Sequence, residues 1–226
     1  MKNEMRAIKS FVIREGRMTA RQQHALESYW EQFGVDYQES LIDLEAIFGR
    51  VAPVVLEIGF GMGKSLLEMA RSQPDVNFLG IEVHRPGVGN LFADLKEHQV
   101  NNVRVINHDA VEVLNFMIAN ESLSGFQLFF PDPWPKKRHH KRRIVKPEFI
   151  VLVVAKLKRG GYVHCATDWE NYAEQMLSVL SENSALVNKA GDNQYSSRPD
   201  SRPETKFEAR GKRLGHGVWD ILFEKK

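Results

Sequence analysis

The chain has 226 residues, 42% of them hydrophobic, and sets 31 Lys and Arg against 29 Asp and Glu for a formal charge of +2. That length fills one core and forces no second, and so small a net charge leaves any affinity for a polyanion to where the charges sit. A lone cysteine, Cys165, excludes a disulfide framework and a cysteine-based metal site; the N-terminus has no signal core and no apolar run nears the roughly 20 residues of a membrane helix, so a soluble, cytoplasmic protein is expected.

Residues 1–35 carry Lys2, Arg6, Lys9, Arg14, Arg17 and Arg21 among apolar residues too sparse for a core. They read as a basic N-terminal arm, ordered where it docks, with Thr19 capping a short helix toward Tyr29. Residues 36–226 then form one domain. Leu41, Leu44, Ile47 and Phe48 keep a helical period, which predicts a helix over 37–48 stopped by Gly49. The run 53–58 (PVVLEI) has the unbroken apolar character of a buried parallel strand, and Gly59, Gly61 and Gly63 follow it at once. Beyond the glycines, helices are predicted at 65–71, 88–99, 110–119, 147–157 and 169–180, alternating with strands at 76–81, 103–106, 126–130 and 161–166. Such alternation implies a mostly parallel, doubly wound α/β sheet with helices on both faces. Residues 184–203 turn polar and read as an exposed, mobile connection, and 217–223 as a last strand, edge or antiparallel.

The glycine loop marks a ligand site at the carboxyl ends of the strands. A Walker loop needs glycine where Ile58 stands, and the dinucleotide fingerprint needs glycine at Lys64. Glu57, just before the loop, would repel a pyrophosphate and suit a ligand bearing an amino group. S-adenosylmethionine, with an ammonium, a sulfonium and no phosphate, meets that condition. Glu82 ends the next strand, placed for ribose hydroxyls, although nicotinamide-binding folds share that feature. Asp109 follows the third strand and could reach an adenine amino group, cap the helix that starts at Ala110, or do both.

The stretch 129–143, FFPDPWPKKRHHKRR, holds Asp132 between two prolines, then Trp134, then six Lys and Arg side chains. The prolines restrict the backbone around the carboxylate. Crowded cations repel one another unless anions neutralise them, and RNA phosphates are natural anions. Trp134 offers a stacking surface for a base or a packing surface for the core. His139 and His140 are adjacent and lack partners at metal spacing, so no metal is assigned.

With GIEVHRPGVG, HDAVEVL, ATDWENYAEQM and TKFEARGKRLGHGVWD, these motifs resemble the bacterial tRNA (guanine-N(7)-)-methyltransferase family of the TrmB type, from about Arg6 to Phe223. The FFPDPW segment with its basic tail and the TKFE segment carry most of that resemblance. It implies a class I, Rossmann-like methyltransferase whose antiparallel last strand joins a mostly parallel sheet. The implied reaction moves a methyl group from S-adenosylmethionine to N(7) of a guanine in the variable loop of tRNA. Glu57, Gly59, Gly61, Gly63, Glu82 and Asp109 would hold the cofactor, and Asp132 would be catalytic and touch it too. Lys136 would contact substrate, while Arg138, His139, His140, Lys141, Arg142 and Arg143 would follow the RNA backbone. Asp168 follows the fifth strand, where it could cap the next helix or face the site; the resemblance places it in the substrate set, and Thr205, Lys206, Phe207 and Glu208 enter that set by resemblance alone. No obligatory protein partner is evident, and a monomer is expected in preference to a homodimer. The rivals are a nicotinamide-dependent oxidoreductase and a non-catalytic RNA-binding protein.

Overall fold

Five successive buried residues, Val54–Ile58 (β1), leave no polar face to turn toward water, so this strand belongs in the middle of a sheet. A computed structural model, which describes residues 10–11, 16–204, 208 and 217–226, places it there. Parallel partners flank it: β2 (Asn77–Ile81) on one side and β4 (Leu123–Phe129) on the other. β3 (Val103–Ile106) extends the sheet beyond β2, and β5 (Leu157–Thr167) extends it beyond β4. Next to β5 runs the antiparallel β7 (Trp219–Lys225), with the short β6 (Leu186–Asn188) outside it. The order β3-β2-β1-β4-β5-β7-β6 reverses direction of travel between β1 and β4. The expected α/β class, mostly parallel with an antiparallel final strand, is observed.

Two apolar cores sandwich the sheet. Val55, Phe78, Val103 and Val105 face α1 (Ala20–Phe33), α3 (Lys64–Ser72) and α4 (Arg85–Glu97). Leu56, Ile58, Leu79 and Ile81 face α2 (Leu44–Phe48), α5 (Ala110–Phe116), α6 (Pro147–Lys156) and α7 (Glu170–Ser181). Each fully buried aliphatic chain contributes about 1.5–3 kcal/mol, so alternation along the strands fixes both faces at once.

Within residues 1–35, α1 is a docked element of the domain. Thr19 and Gln22 form a reciprocal capping box, Leu26 and Phe33 bury themselves, and Arg21 binds Asp94 and Glu97 on α4 at 2.8 Å. Two other expectations change. The helix predicted over 37–48 begins only at Leu44, because the Asp43 carboxylate accepts from Glu45 and Ala46 backbone amides and starts it there. Gly49 does end it in the left-handed conformation, at φ 67°. The connection 184–203 contains β6, and its Arg202 is buried, with charged partners that polar composition did not disclose. Of the two readings of the last strand, edge or antiparallel, the second is observed: β7 runs antiparallel to both its neighbours.

Candidate active site

The carboxyl ends of β1 to β4 open onto one cavity of about 1260 Å³, at the switch between β1 and β4. Gly59, Glu82, Asp109 and Asp132 line it, as do Asn107 and His108, which the motifs had not singled out. Ser10, Phe11, Gly16 and Met18 bring the N-terminal segment across its wall.

Gly59, Gly61 and Gly63 have φ of 74°, 58° and 78°, in the region that side chains with a Cβ rarely enter. A Cβ at Gly59 or Gly61 would meet open space. The loop is therefore bare backbone facing a void, which is what close approach of a ligand requires. Glu82 steadies it. One carboxylate oxygen accepts from the Gly61 amide at 2.8 Å and the other from the Val83 and His84 amides at 2.7 and 2.9 Å. The oxygen that takes only the Gly61 amide keeps acceptor capacity. Asn107 donates to the Glu82 carbonyl at 2.6 Å and ties the ends of β2 and β3 together. Asp109 caps α5, accepting from the Val111 amide at 3.0 Å, and also lines the cavity, so both roles offered by its position coexist. His108, stacked on Tyr37 at 3.7 Å between centroids, adds a fixed flat ring beside it. An adenosine with hydroxyls for Glu82 and a flat base for the His108 and Asp109 corner fits this donor and acceptor set.

Glu57 stands differently from expectation. It is buried on β1 beneath the glycine loop, while its neighbours Ile58 and Gly59 supply the cavity wall. Oε2 has no hydrogen-bond partner among the described residues. Burial, with the charge of Glu82 adding to it, pushes its pKa up to about 8.

Asp132 is an exposed carboxylate on the cavity wall with no hydrogen bond or ion pair among the described residues. The turn that presents it is strained: Phe130 and Trp134, two residues to either side, have φ of 50° and 45°. Such bulky residues adopt this region only where surrounding contacts hold them. Arg143 supplies part of the hold, and here the structure corrects the expectation that it follows RNA. Its side chain is buried, donating to the Pro133 carbonyl at 2.9 Å, to Gln175 at 2.7 Å and to Asn171 at 3.0 Å, with Tyr172 under its guanidinium. Buried and bonded to protein acceptors through all three nitrogens, this guanidinium is not presented to a phosphate.

The rest of the basic run forms a 3-10 turn, Lys137–Arg142, between Pro135 and Ile144 of the cavity lining. Lys136, Lys137, Arg138 and Lys141 are exposed there, and His139 and His140 are half-buried. Desolvation, then the charges of Arg138, Arg142, Lys136 and Lys141, hold His139 below the usual imidazole range, a measure of how positive this corner is. Trp134 is a packing residue on one face: Arg142 lies 4.9 Å from its ring, and its Nε1 donates to the Ser10 carbonyl at 3.2 Å.

Asp168 follows β5 as Asp132 follows β4, and because these strands are adjacent and parallel both aspartates lie at the same sheet edge. Trp169 occupies the cap position of α7, so Asp168 does not cap it, and Asp168 makes no hydrogen bond or ion pair among the described residues. Glu208 departs from the expected open contact: it is buried and paired with Arg202 at 2.7 Å and Arg198 at 3.6 Å, so its carboxylate already has two cationic partners. Thr205, Lys206 and Phe207 lie outside the described residues. Among the described residues no group of three or more His, Cys, Asp or Glu side chains could hold a metal ion, and no helix is long and apolar enough to cross a membrane.

Comparison with known proteins agrees with this geometry. Residues 51–221 match the family described as "Putative methyltransferase". The tRNA (guanine-N(7)-)-methyltransferase of Psychromonas ingrahamii is 62% identical over 98% of this chain and 90% of its own length. Those of Serratia proteamaculans and Neisseria gonorrhoeae are 60% and 56% identical over 98% and 97% of this chain, and 93% and 92% of their own. Among solved structures, the 16S rRNA methyltransferase KamB superposes with a TM-score of 0.57 at 15% identity, over 80% of this chain and 92% of its own. TrmN from Thermus thermophilus superposes at 0.54 and 14% identity, over 91% of this chain and 48% of its own. These two show the shared fold. With a bare glycine loop, an acidic residue ending β2 and an unpaired aspartate after β4, all carried on a sequence so close to those relatives, this chain belongs to the tRNA (guanine-N(7)-)-methyltransferase family.

Proposed function

We propose that the protein transfers a methyl group from S-adenosylmethionine to N(7) of a guanine in the variable loop of tRNA, with Asp132 as the catalytic residue. The observation that carries this reading is the unpaired Asp132 carboxylate on a strained, proline-flanked turn, facing the cavity that the glycine loop opens. When bound, the cofactor supplies an electrophilic methyl on its sulfonium. Glu82 and Asp109, after β2 and β3, would hold its nucleoside end, and Gly59 and Gly61 would let it approach the backbone.

Guanine N(7) carries an in-plane lone pair and no proton, so the protein need not remove one. Placement and electrostatics supply the rate. The purine turns cationic as the new bond forms, and Asp132 offsets that charge or accepts from the ring NH and amino groups while it holds the base. Exposed to water, the carboxylate acts weakly; a base seated against Phe130, Pro131, Pro133 and Trp134 excludes that water and strengthens the interaction. Lys136, Arg138 and Lys141 of the basic run meet the phosphates on either side, and Asp168 adds a second carboxylate at the same edge.

The test incubates the protein with labelled cofactor and unmodified tRNA, then maps the product. N(7) methylation weakens the glycosidic bond, so borohydride and aniline should cut the chain at one guanine in the variable loop. Label that resists scission, or measurable affinity for a nicotinamide cofactor with none for S-adenosylmethionine, contradicts the proposal.

A further inference from the structure

Behind the catalytic turn lies a line of buried ionisable groups that the mechanism leaves unused. His164 Nε2 donates to Asp220 Oδ1 at 2.7 Å. Arg202 grips the same carboxylate through Nε and Nη2 at 2.7 and 2.8 Å, and donates through Nη1 to Glu208 Oε2 at 2.7 Å. All four residues are buried. Burial pushes the Asp220 carboxyl up, but the bonds from His164 and Arg202 outweigh it and hold the group below the usual carboxylate range. Such a carboxylate only accepts, so His164 Nε2 carries the proton. Taking four ionisable groups out of water is costly, and apolar residues of the same volume often stabilise a fold as well. What the charged set adds here is a single geometry.

That geometry reaches the site at the Asp132 turn. The Arg202 guanidinium lies 5.9 and 5.7 Å from the ring centroids of Phe129 and Phe130, and His164 meets Phe129 edge-on at 4.9 Å. Phe129 and Phe130 line the cavity and lead directly into Pro131 and Asp132, with Phe130 in its strained left-handed conformation. The other arm ends at Glu208, which closes the TKFE motif.

We propose that Arg202, clamped by Asp220 and His164 on one side and by Glu208 on the other, is a positioning residue that sets the Asp132 turn against the guanine. This rests on the reading of Asp132 above and goes beyond it. Arg202 touches neither substrate nor cofactor; it acts through Phe129 and Phe130, and Glu208 acts by holding it.

Arg202→Lys keeps the charge and loses the fork, whereas Glu208→Gln keeps the shape and loses the charge. Single-turnover methyl transfer is measured for both variants and for the double variant, with cofactor dissociation constants and thermal midpoints taken alongside. Each single variant should lose about 10- to 100-fold in rate. The double variant should be no slower than the worse single one, and cofactor affinity should stay within about twofold. Losses that multiply, or a parental rate per folded molecule with only a lowered midpoint, overturn the proposal. Should Arg202→Lys fail to fold, Asp220→Asn enters the same cycle with Glu208→Gln under the same criteria. Asp132→Asn, run in parallel, separates the two ideas: a full rate there overturns the role of Asp132, whereas a rate lost there and kept in the clamp variants overturns the clamp alone.

Discussion

Arg142 and Arg143 are neighbours in sequence and have opposite surroundings, the first half-exposed over Trp134 and the second buried under Pro133. Nothing in a run of cations distinguishes them; the distinction comes from which side chain the 3-10 turn aims at α7. Arg143→Met should therefore cost stability, about 3 kcal/mol in urea unfolding, because it strands acceptors on Pro133, Asn171 and Gln175. A stability matching the parent would return Arg143 to the RNA surface. Glu57 carries a second prediction. Its folded pKa of about 8 exceeds the unfolded value of about 4.3, so the folded chain keeps a proton that the unfolded chain releases. The stability that comes from the neutral carboxyl is complete below about pH 4, drains as pH rises toward about 8, and stays lost above it. Glu57→Gln, neutral throughout, should gain on the parent between pH 5 and pH 8 in urea midpoints; a gap that stays constant over that interval would mean Glu57 does not titrate there.

Elements were more legible than side chains. The buried strands declared themselves through unbroken apolar runs, and the glycine loop and the proline-flanked aspartate through residue types with few alternative uses. The failures share a cause: α2 starts late and β6 was missed because a capping aspartate and a three-residue strand depend on tertiary contacts that periodicity does not report. Arg202 illustrates the same limit, since a polar stretch conceals that one of its residues faces inward toward Asp220. The basic turn yields a prediction of its own. Replacing Lys136, Arg138 and Lys141 with glutamine should weaken tRNA binding and flatten its log-log salt dependence by about 0.7–0.9 for each lost phosphate contact. An unchanged slope would make the turn a solvated surface.

In the whole molecule, the site exists because strand order reverses between β1 and β4, so that Gly59, Glu82 and Asp109 after β1, β2 and β3 line one cavity with Asp132 after β4, and Asp168 follows β5 at the same edge. Motif order along the chain disclosed this arrangement, since parallel strands necessarily gather their carboxyl ends on one edge. Docking of α1 on α4 extends the domain into the N-terminal segment, whose Ser10 touches Trp134 at the cavity. The proposed chemistry rests on the Asp132 charge at one point of that edge. Single-turnover methyl transfer by Asp132→Asn, with cofactor and tRNA saturating, should slow on the order of 100- to 1,000-fold while tRNA affinity stays within about threefold. A near-parental rate, or a loss carried by tRNA affinity instead, would contradict the electrostatic role of Asp132.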